Sequence, residues 1–173
     1  MDEALKRKIR RLGKVLNALE RVSPALAGRL AFQIFCSPRR LAIRNQDAEF
    51  LATAKPGSLR FKNLKIRTYT WESQQPGAKS VLLLHGWESS SARWRKYVRG
   101  LQQAGFTVHA IDSPASGNSQ GKRLNVLLLS EVVQLFIAKN GVPDIMVGHS
   151  LGAAAAVMSS ALHGTPLPAK MIL

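Results

Sequence analysis

The sequence predicts an α/β fold in which a mostly parallel sheet carries helices on both faces, with a helical extension at the N-terminus. From residue 80 onward, short apolar runs alternate with segments of helical periodicity, as expected for strands and helices of a parallel sheet. The runs are continuously apolar, which is typical of strands buried on both faces. A Gly-x-Ser-x-Gly turn at residues 148–152 lies between one such run and an alanine-rich helix. We therefore divide the chain into a basic helical extension, residues 1–56, and an α/β part, residues 57–173.

The N-terminal segment predicts two helices. Apolar residues that recur at helical spacing share one face: Leu5, Ile9, Leu12, Leu16 and Leu19. We expect the first helix to run from Asp2 to about Val22, with Asp2 and Glu3 complementing the helix dipole. Ser23-Pro24 ends it and starts a second helix, since proline is favoured in the first helical turn. Ser37-Pro38 ends the second helix.

Positive charge is concentrated in the N-terminal part. The formal net charge is +15, and residues 1–70 hold 16 Lys and Arg against 5 Asp and Glu, whereas residues 71–173 hold 9 against 5. A solvated basic face is the favoured interpretation, with the apolar stripe of the first helix packed on the domain. Peripheral contact of this helix with an anionic membrane is the alternative. No nucleic-acid partner is expected, and the sequence leaves the oligomeric state open.

The α/β part is predicted to begin with two strands, Leu59–Leu64 and Lys65–Trp71, after a turn at Lys55-Pro56-Gly57. Strands and helices then alternate in this order: strand Ser80–Leu84, helix Ser91–Ala104, strand Phe106–Ile111, helix Leu124–Lys139, strand Asp144–Val147, helix Leu151–Leu162 and strand Lys170–Leu173. Because a chain that stops within a buried strand leaves apolar surface and unpaired backbone exposed, we expect the domain to be truncated at its C-terminus.

Gly148-His149-Ser150-Leu151-Gly152 is the main candidate for chemistry. A strand, a Gly-x-Ser-x-Gly turn and a helix in this order are typical of a nucleophile elbow. The turn lifts the serine hydroxyl clear of the backbone and requires small residues two positions before and after it, which are Gly148 and Gly152. Ser150 is therefore the candidate nucleophile, at a helix N-terminus where free N–H groups favour negative charge.

Two further motifs follow predicted strands: Leu84-His85-Gly86-Trp87, and the loop from Asp112 to Ser119. Together with the elbow they resemble the α/β-hydrolase superfamily, and Phe35–Arg40 resembles a segment of bacterial α/β-hydrolases. The resemblance implies that residues 57–173 are the N-terminal part of an α/β-hydrolase domain with a serine esterase type of activity. The Asp112–Ser119 loop departs from the family pattern at Ala115, where glycine is common, and its implied role is to shape the site.

The resemblance also implies an oxyanion hole. In this superfamily one backbone N–H comes from the loop after His-Gly and another from the residue after the nucleophile, which here are Trp87 and Leu151. Each such donor stabilises the transition state by on the order of a few kcal/mol. The residues implied to support the elbow and the loop are Gly148, His149, Gly152, His85 and Gly86.

The acid and the base of a serine hydrolase are missing from the sequence. In this superfamily they follow the nucleophile, but residues 151–173 contain a single histidine, His163, and no Asp or Glu. His163 is about 20 Å from Ser150 along a helix, and His149 is expected to point away from it. Truncation of the sequence is the favoured explanation for the missing acid and base. The alternative explanation is a shortened protein that binds a partner and catalyses nothing.

The sequence thus predicts a serine hydrolase of small ester, thioester or related acyl substrates, which forms an acyl-enzyme on Ser150 and is inactive as these 173 residues. The alternative is a non-catalytic binding protein whose basic N-terminal helices contact anionic lipid or nucleic acid. Epoxide and haloalkane hydrolysis are disfavoured, because those branches of the family usually carry Asp at the nucleophile position.

No cofactor and no metal are expected, because the histidines lack metal-binding spacing and one cysteine cannot complete a site. The sequence shows neither a secretory signal nor an apolar run of membrane-spanning length. The single cysteine, Cys36, is expected to be a buried thiol. These features predict a cytoplasmic protein.

Overall fold

The computed structural model of the chain describes residues 3–173, apart from the side chain of Leu5. The chain forms two compact units that divide between Ser37 and Pro38. This division falls well before residue 56, where the sequence analysis ended the helical extension. The predicted helix start at Asp2 lies outside the described residues.

The first unit is a pair of helices, α1 (Glu3–Val22) and α2 (Pro24–Phe35). Ser23 has an extended backbone, and its hydroxyl accepts a hydrogen bond from the backbone N–H of Leu26 at 3.4 Å. It therefore caps α2, and the predicted break at Ser23-Pro24 is confirmed.

Within the first unit α1 and α2 pack against each other. Three residues of the predicted apolar stripe of α1 are half-buried: Leu12, Leu16 and Leu19. Cys36 follows α2 and is a buried thiol, as predicted. Among the described helices of the chain, none is long and apolar enough to cross a membrane.

The second unit contains a six-stranded sheet. Its elements in chain order are α3 (Asn45–Ala52), β1 (Lys55–Phe61), β2 (Leu64–Trp71), β3 (Ser80–Leu84), a 3-10 turn (Ser91–Trp94), α4 (Arg95–Gln103), β4 (Thr107–Ile111), α5 (Val126–Asn140), β5 (Ile145–Gly148), α6 (Leu151–His163) and β6 (Lys170–Ile172). The strand order is β1-β2-β4-β3-β5-β6. Strands β4, β3, β5 and β6 are parallel to one another, and β2 pairs antiparallel with β4 on one side and with β1 on the other, which confirms a mostly parallel sheet.

The central strand β3 explains why its sequence is apolar throughout. Successive side chains of a strand point to opposite faces, so Leu82 and Leu84 enter one core cluster and Val81 and Leu83 enter the other. All four are at most 1% exposed. Helices α5 and α6 contribute to the first cluster and α3 and α4 to the second, so the predicted helices on both faces are confirmed.

The strand register places the three sequence motifs together. In β3, Leu84 pairs with Ile111 of β4 and with Gly148 of β5. The carboxyl ends of the three strands therefore lie at one level of the sheet. The loops that follow them emerge side by side at the same edge.

The sequence prediction was wrong at the start of the sheet. Lys55-Pro56-Gly57 is not a turn but the beginning of β1, an edge strand, where proline is tolerated. Its glycine lies opposite Thr68, whose hydroxyl oxygen would be 2.6 Å from an added Cβ, so a side chain at position 57 would displace that hydroxyl. The turn lies instead at Lys62-Asn63, inside the predicted strand Leu59–Leu64, and Lys62 has a φ of +52°.

Helix α3 was not predicted from the sequence. It is short and largely polar, so it shows no extended apolar stripe. Phe50 and Leu51 are nevertheless buried, and the Phe50 ring stacks on Trp71 of β2 with 5.0 Å between the ring centroids. Packing on the sheet, more than helical periodicity, accounts for α3 and brings this part of residues 38–56 into the second unit.

Candidate active site

Ser150 occupies a sharp turn between β5 and α6. Its φ is +53° and its ψ is −118°, a left-handed backbone conformation that is rare for any residue other than glycine. The residue is exposed. The turn therefore presents the Ser150 side chain to solvent at the edge of the sheet where the three loops meet.

The glycines that flank Ser150 are required by the backbone around them. A Cβ added to Gly148 would lie 2.6 Å from the backbone nitrogen of Ala153, and one added to Gly152 would lie 2.7 Å from the carbonyl oxygen of His85. These neighbours are main-chain atoms within the turn and in the adjoining loop. A side chain at either position would therefore force the turn open.

The loop after β3 packs directly on the elbow. A Cβ added to Gly86 would lie 2.9 Å from His149 Nδ1 and 3.2 Å from the Ser150 Cβ. The backbone N–H of His149 also donates to the carbonyl oxygen of Leu84, with an N···O distance of 3.0 Å. Glycine at position 86 thus lets the two loops meet next to the candidate nucleophile.

The two predicted oxyanion donors are the residues that directly follow the two sides of this contact. Trp87 follows Gly86 in the loop, and Leu151 follows Ser150 in the first turn of α6, where a helix provides no intrahelical acceptor for its N–H groups. The side chains of Trp87 and Leu151 are half-buried and pack against the same core cluster. Their roles as donors remain predictions, which this arrangement accommodates.

His85 joins the loop after β3 to the loop after β4. Its Nε2 accepts a hydrogen bond from the Ser113 N–H at 3.0 Å, and its Nδ1 lies 2.8 Å from the Gly86 carbonyl oxygen. Nδ1 must therefore carry the proton, and the ring is neutral. Complete burial lowers the pKa of His85, against the opposing effect of the Asp112 charge. Both ring nitrogens are occupied, so His85 supports the loops and is not placed to act as a base.

Asp112 is the buried centre of the loop after β4. One carboxylate oxygen accepts the Ser91 N–H at 2.7 Å, and the other accepts the Asn118 N–H at 2.8 Å and the Tyr69 hydroxyl at 3.2 Å. Burial, and then the Asp112 charge, raise the pKa of Tyr69 to about 12. The carboxylate thus connects the 3-10 turn, its own loop and β2.

The same loop contains a further non-glycine residue in the left-handed region. Ala115 has a φ of +60°, which gives a physical reason for the glycine that the family often has there. Gly117 also has a positive φ, and a Cβ there would lie 2.7 Å from Asp112 Oδ1. The Ser119 hydroxyl donates to the Asp112 carbonyl oxygen at 2.6 Å, which closes the loop.

Two arginines of the second unit, Arg39 and Arg40, hold both loops from outside. The Arg39 guanidinium lies 2.8–3.2 Å from the Glu88 carboxylate, and the Arg39 backbone N–H donates to it at 2.9 Å. Glu88 directly follows Trp87 and has a φ of +44°. Hydrogen bonding to Arg39 holds the pKa of Glu88 below its usual value.

The Arg40 guanidinium donates instead to main-chain carbonyl oxygens of the loop after β4. It lies 2.5 Å from the Gly117 oxygen and 2.7 Å from the Ser119 oxygen. The role of this arginine pair was not predicted, because two basic residues in a strongly basic segment resemble a solvated face. The signal that distinguishes them is their place in Phe35–Arg40, the segment that resembles bacterial α/β-hydrolases.

The described residues bring no base to Ser150. His163 lies at the far end of α6, where its Nε2 is 3.2 Å from the Ser130 hydroxyl oxygen. His149 adjoins Ser150 in sequence and is exposed, but no hydrogen bond links their side chains among the described residues. Within residues 3–173, no group of three or more His, Cys, Asp or Glu side chains is arranged to hold a metal ion.

Comparison with known proteins agrees with this geometry. A family model described as the alpha/beta hydrolase fold matches residues 79–172, which include Ser150 and both loops. The chain belongs to the α/β-hydrolase fold family.

Known relatives cover several activities. The pimeloyl-[acyl-carrier protein] methyl ester esterase of Pectobacterium carotovorum is 30% identical over 87 residues, which are 50% of this chain and 33% of the esterase. Bifunctional epoxide hydrolase 2 of Rattus norvegicus is 29% identical over 146 residues, which are 82% of this chain and 24% of that protein. The chain thus spans a third or less of these relatives.

A solved structure, the thioesterase domain from the curacin biosynthetic pathway, superposes with a TM-score of 0.56 at 23% identity. The superposition covers 66% of this chain and 43% of that domain. At this identity the likeness shows the shared fold.

Proposed function

We propose that this chain carries the nucleophile and the oxyanion hole of a serine hydrolase that acts on small ester, thioester or related acyl substrates. The observation that carries the proposal is the conformation of Ser150, with φ +53° and ψ −118° at an exposed strand-to-helix turn. A left-handed backbone costs a non-glycine residue on the order of 1 kcal/mol or more, and such residues cluster at active sites.

In the proposed reaction, the Ser150 hydroxyl oxygen attacks the acyl carbon of the substrate while a base takes its proton. The Trp87 and Leu151 N–H groups donate to the oxyanion of the tetrahedral intermediate. Its collapse expels the alcohol or thiol, which takes up the proton. Water then attacks the acyl carbon, which releases the acid and regenerates the Ser150 hydroxyl.

The base that takes the proton from Ser150 is the group that residues 3–173 do not supply. His85 uses both ring nitrogens in its loop contacts, and His163 lies at the end of α6 remote from Ser150. We therefore expect the 173-residue chain to react slowly at Ser150 and to lack efficient turnover, since a general base contributes roughly 10²–10⁴-fold.

Acyl chemistry is favoured over epoxide opening by the nucleophile itself. The chain is similar to both an esterase and an epoxide hydrolase, but the epoxide-hydrolysing branches of the family usually carry Asp at the position that Ser150 occupies. The name of the esterase relative, which acts on a methyl ester, supports the ester class. Serine esters are also the usual covalent intermediates of acyl transfer.

A fluorophosphonate probe tests the proposal, because it reacts covalently with activated serines. We expect faint labelling of the 173-residue chain, stronger labelling when imidazole is added as an external base, and none in Ser150→Ala. Ser160→Ala is the matched control, since it removes a serine of the same helix, α6, away from the turn.

Labelling that survives in Ser150→Ala would overturn the assignment of the nucleophile. If a chain that circular dichroism shows to be folded is not labelled in the presence of imidazole, the proposal that the turn presents Ser150 as a nucleophile would be overturned. Fast labelling without imidazole would instead show that a base is present, contrary to the expected lack of turnover.

A further inference from the structure

The surface of the first unit is strongly basic. Residues 3–37 hold eight Lys and Arg against two acidic residues, Glu3 and Glu20. The described ion pair of this unit joins Lys6 and Glu3. The cations of α1 are distributed over the helix surface outside its apolar stripe: Lys6, Arg7, Lys8, Arg10, Arg11, Lys14 and Arg21.

Helix α2 presents an exposed stripe of a different kind. Ala25, Gly28, Phe32 and Phe35 recur at spacings of three and four, so they share one face of α2, and all four are exposed. Phe32 is 58% exposed and Phe35 is 72% exposed. The stripe contains no charged residue, although α2 also carries Arg29.

Further apolar side chains are exposed on α1 and at the turn between the helices. They are more than half exposed, and they are Ile9, Val15, Val22 and Leu26. Isolated exposed apolar residues are normal, but several on one pair of short helices mark a surface that contacts an apolar phase or a partner.

The charge selects among the possible partners. A second copy of this unit would bring its own excess of cations, so pairing through the α2 stripe would be opposed by like-charge repulsion. Nucleic acid would attract the cations but would leave the exposed aliphatic side chains in water. An anionic membrane surface satisfies both properties, since its phosphates attract Lys and Arg and its acyl chains accept Phe, Ile, Val and Leu.

We propose that α1 and α2 bind to the surface of membranes rich in anionic lipid. In this arrangement the cations of α1 lie at the headgroup phosphates, and Phe32 and Phe35 enter the boundary between headgroups and acyl chains. The proposed position is in the interface, and none of the described helices is long and apolar enough to cross a membrane. This inference is independent of the chemistry at Ser150.

Vesicle sedimentation of the full 173-residue chain tests the proposal. We expect the chain to pellet with vesicles of phosphatidylcholine and phosphatidylglycerol but not with phosphatidylcholine alone, and binding to weaken as salt is raised. Phe32→Ser/Phe35→Ser should bind about tenfold more weakly or worse, since each Phe loses its apolar burial. Ser150→Ala should pellet like the wild type.

Charge and apolar contributions are separated by two further variants. Arg7→Gln/Arg10→Gln/Lys14→Gln should lose most of the dependence on phosphatidylglycerol. Its matched control changes three exposed lysines of the second unit, Lys79→Gln/Lys96→Gln/Lys170→Gln, and should retain that dependence.

A control for the phenylalanine variant is Leu127→Ser/Leu162→Ser, which removes two exposed leucines of the second unit. Its binding should match the wild type. Helical content is compared by circular dichroism, and Val22→Ser/Leu26→Ser provides a second apolar variant if the first fails to fold.

Three results would overturn the proposal. Equal pelleting of the phenylalanine variant and its control would exclude the α2 stripe as the membrane contact. Binding to duplex or single-stranded nucleic acid that the phenylalanine variant retains, with no vesicle binding, would identify a nucleic-acid surface instead. A dimer in analytical ultracentrifugation that this variant abolishes, without vesicle binding, would identify a second copy as the partner.

Discussion

Two loops at the same edge of the sheet are held in place by different forces. The turn at Ser150 depends on shape, since main-chain atoms fill the space next to Gly148 and Gly152. The loop after β4 depends on polarity, since the buried Asp112 carboxylate accepts three hydrogen bonds from three segments. Backbone packing organises one loop, and a side chain organises the other.

The difference separates a reactive group from a scaffold. The Asp112 carboxylate is fully buried, and three of its about four acceptor positions are occupied, so it stabilises the fold and has little capacity left for a substrate. The Ser150 side chain is exposed, and among the described residues its hydroxyl makes no hydrogen bond. Steric support of the turn leaves that hydroxyl available, which is what a nucleophile requires.

The largest expected effect comes from a methyl group in the sterically held turn. Gly152→Ala places a Cβ against the carbonyl oxygens of Leu84 and His85, which cannot move without breaking the end of β3. We expect a loss of about 3 kcal/mol in the free energy of unfolding, measured by urea denaturation. Gly100→Ala is the matched control, because an added Cβ there meets no atom within 4 Å.

Since Gly100 lies inside α4, its replacement by alanine should stabilise the protein by about 0.5–1 kcal/mol. Similar unfolding free energies for the two variants would mean that the turn relaxes around a side chain. Shape would then not distinguish this loop from the loop after β4.

The elbow was predictable because its steric requirements lie within five consecutive residues. Small residues on both sides of Ser150, an apolar run before it and an alanine-rich helix after it are all local in sequence. The buried strand β3 was predictable for a similar reason, since burial on both faces leaves a continuous apolar run.

The contacts that hold the other loop were not predictable, because they join distant parts of the chain. Asp112 binds Tyr69 and Ser91, which are 43 and 21 residues away in sequence. Arg40 reaches Gly117 and Ser119 across 77 and 79 residues. A sequence shows that such side chains are polar, but the fold decides which of them meet.

The second expected effect tests the polar loop. In Asp112→Asn the new amide NH₂ group faces the backbone N–H of Ser91 or of Asn118, whichever way the amide is oriented. One of these two donors therefore loses its acceptor. We expect a loss of about 2–4 kcal/mol in the free energy of unfolding. Tyr69→Phe is the milder comparison, since it removes one bond to Asp112, and should cost about 1 kcal/mol.

Urea denaturation of both variants at neutral pH measures these losses. If Asp112→Asn is no more damaging than Tyr69→Phe, the backbone donors find other partners. The carboxylate would then not be the centre of the loop.

The smallest expected effect concerns Arg39, which holds the loop of Trp87 by polar contacts at the surface. The pKa of Glu88 is lowered in the folded protein, mainly by its hydrogen bonds with Arg39, so this contribution to stability is present above the usual pKa of glutamate and is lost as pH falls through the lowered value. Arg39→Gln should therefore reduce the melting temperature slightly at pH 7, and its difference from the wild type should shrink as pH falls through the lowered pKa of Glu88. Arg44→Gln is the control, because it removes the same charge from an exposed side chain whose ion pair is local and longer, at 3.8 Å.

Imidazole-dependent labelling of Ser150 measures whether Arg39 also positions the Trp87 N–H. Arg44→Gln should leave this labelling unchanged. If Arg39→Gln leaves it unchanged as well, the contact between Arg39 and Glu88 stabilises the surface of the loop without positioning the Trp87 N–H.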